Sequence, residues 1–160
     1  VETGIKPAQF GAWFDTISVC LSKGLGAPIG SVLLGSKDFI KKARRVRKRL
    51  GGGWRQAGLL AAAGIYALDH QVERLKEDHA RARVIASLCE KLPWVKAILP
   101  VATNIVILEL QDGLSSSVKV AELKEKGIYC APFGPSYVRF VTHLGFDDAA
   151  LQAFSERISE

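Results

Sequence analysis

At 160 residues, 48% of them hydrophobic and 24% charged, the chain can bury a core and reads as one or two small globular domains. No apolar run approaches the roughly 20 residues that span a bilayer, and the opening VETGIKPAQF lacks the apolar stretch of a secretion signal, so a cytoplasmic protein with no membrane partner is expected. The net charge of +6 is local: seven of the 22 basic residues lie in KKARRVRKR, Lys41 to Arg49, and the other 15 face 16 acidic ones.

Methionine is absent and the chain opens on Val1, which predicts a piece of something longer. From Phe14 to Cys20 the residues FDTISVC are β-prone and partly alternating, a glycine-rich loop follows, and SVLLGS forms a second short apolar run. Two strands joined by a loop that carries Lys23 is the simplest expectation. Ser36 then reads as the N-cap of a helix through Arg49, which Gly51 to Gly53 stop. No aromatic residue alternates with the charges of that helix, so its basic run predicts a solvated face and no nucleic-acid partner.

A new helix is expected near Trp54. Its opening RQAGLLAAAGIYAL is apolar on every side, the pattern of a segment buried all round. Downstream the pattern narrows to Ile65, Leu68, Val72, Leu75, His79, Ala82, Ala86 and Cys89, with Glu73, Lys76, Glu77, Arg81 and Arg83 on the other face. The change near His70 predicts a domain boundary, with residues 1–70 in one domain and 71–160 in the next. From Val95 onward, TNIVILEL, a helix around Ser117 to Lys126, IYCAPF, YVRFVTHL and a last helix from Asp147 predict a small α/β unit of about three strands and two helices.

The chemistry-bearing residues are few. Cys20, Cys89 and Cys130 are odd in number and widely spaced, which supports neither a disulfide framework nor a zinc site and predicts reduced, mostly buried thiols. His79 falls on an apolar stripe and is expected in the core; His70, beside Asp69, is expected at the surface; His143 shares a strand with Arg139, four residues on. No metal spacing links the three histidines. The stretch CLSKGLGAPIGS places Lys23 between a strand and three glycines. Its glycines are spaced G-x-G-x-x-x-G, not G-x-G-x-x-G, and the lysine precedes them, so neither dinucleotide nor P-loop readings fit. A lysine at a strand end can instead serve as a nucleophilic amine that forms an imine with an aldehyde.

FDTISVCLSKGLGAPIGSVLLGS, the basic helix, LGGGWRQAGLLAAAGIYAL and VRFVTHL, in this order and spacing, resemble the threonine aldolase family of fold-type-I pyridoxal-phosphate enzymes over nearly the whole chain. The resemblance implies an α/β fold: the C-terminal part of a large cofactor domain followed by a small α/β domain. It implies that Lys23 holds pyridoxal 5'-phosphate as a Schiff base, that Arg139 clamps the α-carboxylate of an amino-acid substrate, and that Arg55 lies near the cofactor phosphate, in its own or a neighbouring subunit. It further implies cleavage of threonine-type β-hydroxy-α-amino acids to glycine and an aldehyde, by a homo-oligomer, a tetramer or dimer. Trp54 stands where the family often has methionine, and Gly145 follows THL where an aspartate is frequent. The family's aspartate for the pyridine nitrogen, its ring-stacking aromatic residue and its phosphate loop belong upstream of Val1, so the match is to a C-terminal half that is expected to be inactive alone. Two alternatives stay open: another fold-type-I activity, β-elimination or transamination, and a non-catalytic remnant binding anionic partners through Lys41 to Arg49.

Overall fold

The computed structural model describes residues 1–159 and divides into two compact units, one of Val1 and Thr3–Arg74, the other of Glu2 with Leu75 onward. In the first unit a short helix α1 (Pro7–Gly11) precedes strands β1 (Thr16–Cys20) and β2 (Ser31–Gly35), helix α2 (Lys37–Arg49) and helix α3 (Gly58–His70). β1 and β2 pair antiparallel from Thr16↔Gly35 to Cys20↔Ser31. Ser36 caps α2 as its sequence predicts, its hydroxyl accepting from the Phe39 amide at 3.3 Å. The basic run lies along α2 and is exposed throughout except at Ala43. Behind the hairpin the core is small: Leu21, Ala27 and Ala67 are its buried apolar residues.

α3 starts three residues later than Arg55, at Gly58, and only Gly64 and Ala67 of it are buried. Leu59, Ile65, Tyr66 and Leu68 stand exposed, which corrects the expectation of a helix buried on all faces. An all-apolar helix reports the surface a chain is built to bury. Only the stripe that meets Leu21 is covered among the described residues. Gly64 makes that contact possible, because a Cβ there would stand 3.0 Å from Leu21 Cδ1.

In the second unit helix α4 (Leu75–Cys89) is followed by β3 (Val95–Ile98), β4 (Ile105–Leu110), α5 (Ser116–Glu125), β5 (Ala131–Pro132), β6 (Tyr137–Val141) and α6 (Asp148–Ser159). The sheet is antiparallel in the order β3-β4-β6-β5. The alternation of β4 and β6 places Val106, Leu108, Leu110, Val138 and Phe140 on one face, which α4, α5 and α6 cover through Ala82, Ile85, Cys89, Leu123, Phe154 and Ile158. Phe140 and Phe154 meet edge-on at 5.5 Å. Thr142, 1% exposed, ties the sheet to α4: its hydroxyl donates to the Asp78 carbonyl at 2.7 Å. β3 escaped the sequence reading, since VKAI is too short and too mixed to announce itself, and IYCAPF yields a strand of only two residues where Pro132 removes a donor.

Candidate active site

Lys23 sits in the loop between β1 and β2, exposed, with its backbone held in place. The Gly26 amide donates to the Lys23 carbonyl at 2.8 Å, Ala27 N to Leu21 O at 3.0 Å, and Leu21 N to Gly30 O at 2.9 Å. Gly26 takes φ +70°, a left-handed turn that a side-chain-bearing residue rarely adopts. From outside the loop, the Arg74 guanidinium donates to Gly24 O at 3.1 Å and to Gln71 Oε1 at 3.1 Å. A flexible side chain thus rises from a fixed stem. At the stem's base, Ser31 Oγ lies 3.5 Å from Cys20 Sγ across the strand pair. The Ser31 hydroxyl and, next, the Lys23 charge pull the Cys20 thiol below the usual thiol range.

Arg55 lies in the turn between α2 and α3, exposed, and makes no ion pair or contact with Lys23 among the described residues. Arg139 belongs to the second unit and is the more informative cation. It stands at the middle of β6, opposite Ile107 of β4 and Ala131 of β5, on the sheet face away from the helices. Half-buried, it has its guanidinium carbon 5.8 Å from the centre of the Phe133 ring. Its Nε is buried without a hydrogen-bond partner, and no carboxylate pairs with it among the described residues. A half-buried guanidinium left without an anion is costly, and such a group is satisfied by an anion that arrives from outside.

The histidines stay outside this chemistry. His79 is buried with Nδ1 2.9 Å from Glu2 Oε2, and His70 is exposed, its ring 4.4 Å from that of Tyr66. His143 lies past the end of β6, where its Nδ1 accepts from the Gly145 amide at 3.1 Å. Cys89 and Cys130 are free thiols that burial pushes up to about 12 and about 11 respectively. Among the described residues no cluster of three or more acidic, cysteine or histidine side chains could hold a metal. The residues that sequence reasoning passed over are Ser31 and Phe133. Ser31 became visible only once the strand register set it beside Cys20; Phe133 became visible only when β5 turned back toward Arg139.

The donor set defines what fits: a primary amine on a rigid stem suits an aldehyde, and guanidiniums without acidic partners suit a carboxylate or a phosphate. The profile of the beta-eliminating lyase family matches residues 1–112. Low-specificity L-threonine aldolase 1 of Arabidopsis thaliana is 41% identical over 132 residues, 81% of this chain and 37% of the relative. The low specificity L-threonine aldolase of Escherichia coli K12 is 40% identical over 146 residues, 90% of this chain and 42% of the relative. A provisionally named aromatic amino acid beta-eliminating lyase/threonine aldolase from Exiguobacterium sp. 255-15 shares the fold at a TM-score of 0.74 and 21% identity, over 98% of this chain and 48% of that one. A PLP-dependent aminotransferase from Streptococcus suis 89-1591 does so at 0.70 and 17%, over 90% and 40%. The class is therefore the α/β fold of the fold-type-I pyridoxal-phosphate enzymes. Within it, the chain belongs to the beta-eliminating lyase family. It spans about two fifths of the length of these curated relatives.

Proposed function

We propose that these residues form part of a pyridoxal-phosphate-dependent aldehyde-lyase that cleaves β-hydroxy-α-amino acids of the threonine and allo-threonine kind to glycine and an aldehyde. The observation that carries this reading is Arg139, a half-buried guanidinium with a partnerless Nε and, among the described residues, no carboxylate beside it, in a chain whose other candidate group is an amine on a rigid loop. The names of the curated relatives support the substrate class. Residues 1–70 then complete the cofactor domain and 71–160 form the small domain.

Lys23 is the covalent anchor of the cofactor. Arg55 supplies positive charge to the cofactor phosphate, in its own subunit or a neighbour's within a homodimer or homotetramer. Bound pyridoxal phosphate supplies the sink for the electron pair released when the Cα–Cβ bond breaks. Arg139 donates two parallel hydrogen bonds to the α-carboxylate and so fixes which substituent of Cα faces the reacting groups, a task for which the planar fork suits better than an ammonium. Phe133 restricts the guanidinium to one side of the strand. Lys23 would also be the group able to hold or return a proton near Cα. No helix among the described residues is long and apolar enough to cross a membrane, and a cytoplasmic location agrees with an enzyme acting on free amino acids.

The test is the whole reading frame that encodes these residues, assayed with threonine, allo-threonine, serine and aromatic amino acids. Cleavage of the first two to glycine is expected; ammonia release or amino transfer as the dominant outcome assigns a neighbouring activity instead. Lys23→Ala is expected to lose both cleavage and borohydride-stable cofactor label. Label that persists at another lysine in that variant refutes the assignment. The 160-residue chain on its own is expected to leave threonine uncleaved.

A further inference from the structure

A cavity of about 280 Å³ opens in the second unit, between the end of β6, the turn after α5, and helices α4 and α6. Ile85, Ile128, Phe140, Phe146 and Phe154 form its apolar wall, and the space is there because α6 contributes only Ala150 and Ala153 where larger side chains would fill it. Its polar side chains are Tyr129, His143 and Arg157, all exposed. Two of these are set in place beside glycines. The Arg157 guanidinium donates from Nη1 to the Gly127 carbonyl at 3.2 Å, and Gly127, at φ +74°, leaves room for it, since a Cβ there would stand 2.8 Å from Nη1. His143 Nδ1 accepts from the Gly145 amide at 3.1 Å, and a Cβ on Gly145 would stand 3.2 Å from the ring's Cε1. A ring nitrogen that accepts carries no proton, so the neutral imidazole keeps its N–H at Nε2. No aspartate or glutamate lines the cavity. The acids on and beside α6 are engaged elsewhere, Asp147 by the Ala150 amide, Asp148 by Arg81 and Glu156 by Gln152, and among the described residues Arg157 has no anionic partner.

We infer that this cavity binds a small apolar carboxylate, an aryl-alkanoic acid in size, with its hydrocarbon end against Phe140, Phe146 and Phe154 and its carboxylate on Arg157. A cavity of about 150 Å³ already holds a benzene ring, so the volume here takes a ring together with a short acid chain. The apolar wall contributes affinity without direction; the guanidinium, held by one N–H and free at the others, orients the anion at the mouth. His143 Nε2–H and the Tyr129 hydroxyl are further donors on the same lining. The absence of an acidic lining residue sets the specificity. A free amino acid would bring an ammonium that nothing in the cavity receives, so the site selects the acid that lacks the amino group. That preference is opposite to the amino-acid substrate proposed for Arg139, and the inference does not rest on that reading.

Calorimetric titration of the intact protein with 3-phenylpropionate decides it, with phenylalanine and 3-phenylpropanamide as comparisons that add the ammonium and remove the charge. The carboxylate is expected to saturate one site per chain, and each comparison compound to bind about tenfold more weakly or worse. Arg157→Met, on the exposed rim, should weaken the carboxylate about tenfold or more while leaving the amide unchanged. Ala153→Leu fills the cavity and should abolish binding of both; the rim variant keeps the test decisive even where the filled one does not fold. All titrations are repeated in Arg139→Met, which removes the guanidinium on the other face of the sheet and should leave the result as it was. No saturation below about 10 mM overturns the inference, as does carboxylate binding that Arg157→Met leaves in place. Binding that disappears in Arg139→Met assigns the carboxylate to the proposed substrate site and overturns it too. Failure of the protein to cleave threonine would strike at the lyase reading alone and leave the cavity result standing.

Discussion

Thr142 shows how one side chain can link two elements. Its hydroxyl is buried and donates to the Asp78 carbonyl, while its backbone amide donates to Asn104 O at 2.9 Å and its carbonyl accepts from Asn104 Nδ2 at 2.8 Å. Thr142→Val keeps the shape and removes the hydroxyl donor to the Asp78 carbonyl, so a loss of about 0.5–1.5 kcal/mol is expected in urea unfolding, and Thr142→Ser should recover part of it. The buried thiols make a prediction of opposite origin. Burial raises Cys89 to about 12 and Cys130 to about 11 from an ordinary 9.0, so above pH 9 the unfolded chain sheds thiol protons that the folded chain keeps. The stability they contribute is fully present below pH 9 and is lost as pH rises through 11 to 12, and Cys89→Ala with Cys130→Ala should flatten that decline in denaturation midpoints measured from pH 8 to 11. At Arg139, replacement by lysine keeps the charge but loses the fork. In the whole enzyme Arg139→Lys is expected to raise KM for the amino acid about tenfold or more with a smaller effect on kcat; a change in kcat alone would place the arginine elsewhere in the mechanism.

At the scale of elements, the best-specified pieces are those whose pattern and boundary agree. β4 alternates buried positions with less buried ones, and α2 opens on a serine and closes on a glycine, so both stand where their residues put them. Leu108, fully buried at the centre of β4, packs between strands and helices; Leu108→Ala is expected to cost about 2–5 kcal/mol of unfolding free energy, with a larger value if the space does not collapse. Patterns were less informative where local and tertiary demands diverge. The helical signal from Gly58 to Cys89 reads as continuous, yet the structure interrupts it at 71–74 between α3 and α4. No proline or glycine marks the break, and the Arg74 contacts to Gly24 and Gln71 show it stabilised by partners fifty and three residues away. Of the candidate site, Lys23 and Arg139 were legible because each sits in a distinctive block. Ser31 and Phe133 were not, because their relevance depends on strand register and on a return of the chain.

Across the whole molecule the two units differ in how much they bury. The second has a continuous core drawn from α4, β3, β4, α5, β6 and α6, centred on Val106, Leu108 and Val138, each 0% exposed. The first buries little beyond Leu21, Ala27 and Ala67, while Trp13, Trp54, Leu59 and Ile65 remain more than half exposed. Burial of apolar area at about 25 cal/mol per Å² must offset the conformational entropy of every ordered residue, and a three-residue core falls far short. Residues 75–160 expressed alone are therefore expected to unfold in a cooperative thermal transition, and residues 1–74 alone to show none; a sharp transition in the latter would contradict this. By itself the sequence determined the hairpin with its lysine loop, the capped basic helix, the amphipathic α4 and the strand that carries Arg139, because periodicity, caps and turn residues act within a few positions of one another. Only the tertiary structure decided that Arg139 lacks an anion among the described residues, that Cys20 lies opposite Ser31, and that α3 is covered on a single stripe, because burial and pairing depend on residues brought together from distant parts of the chain.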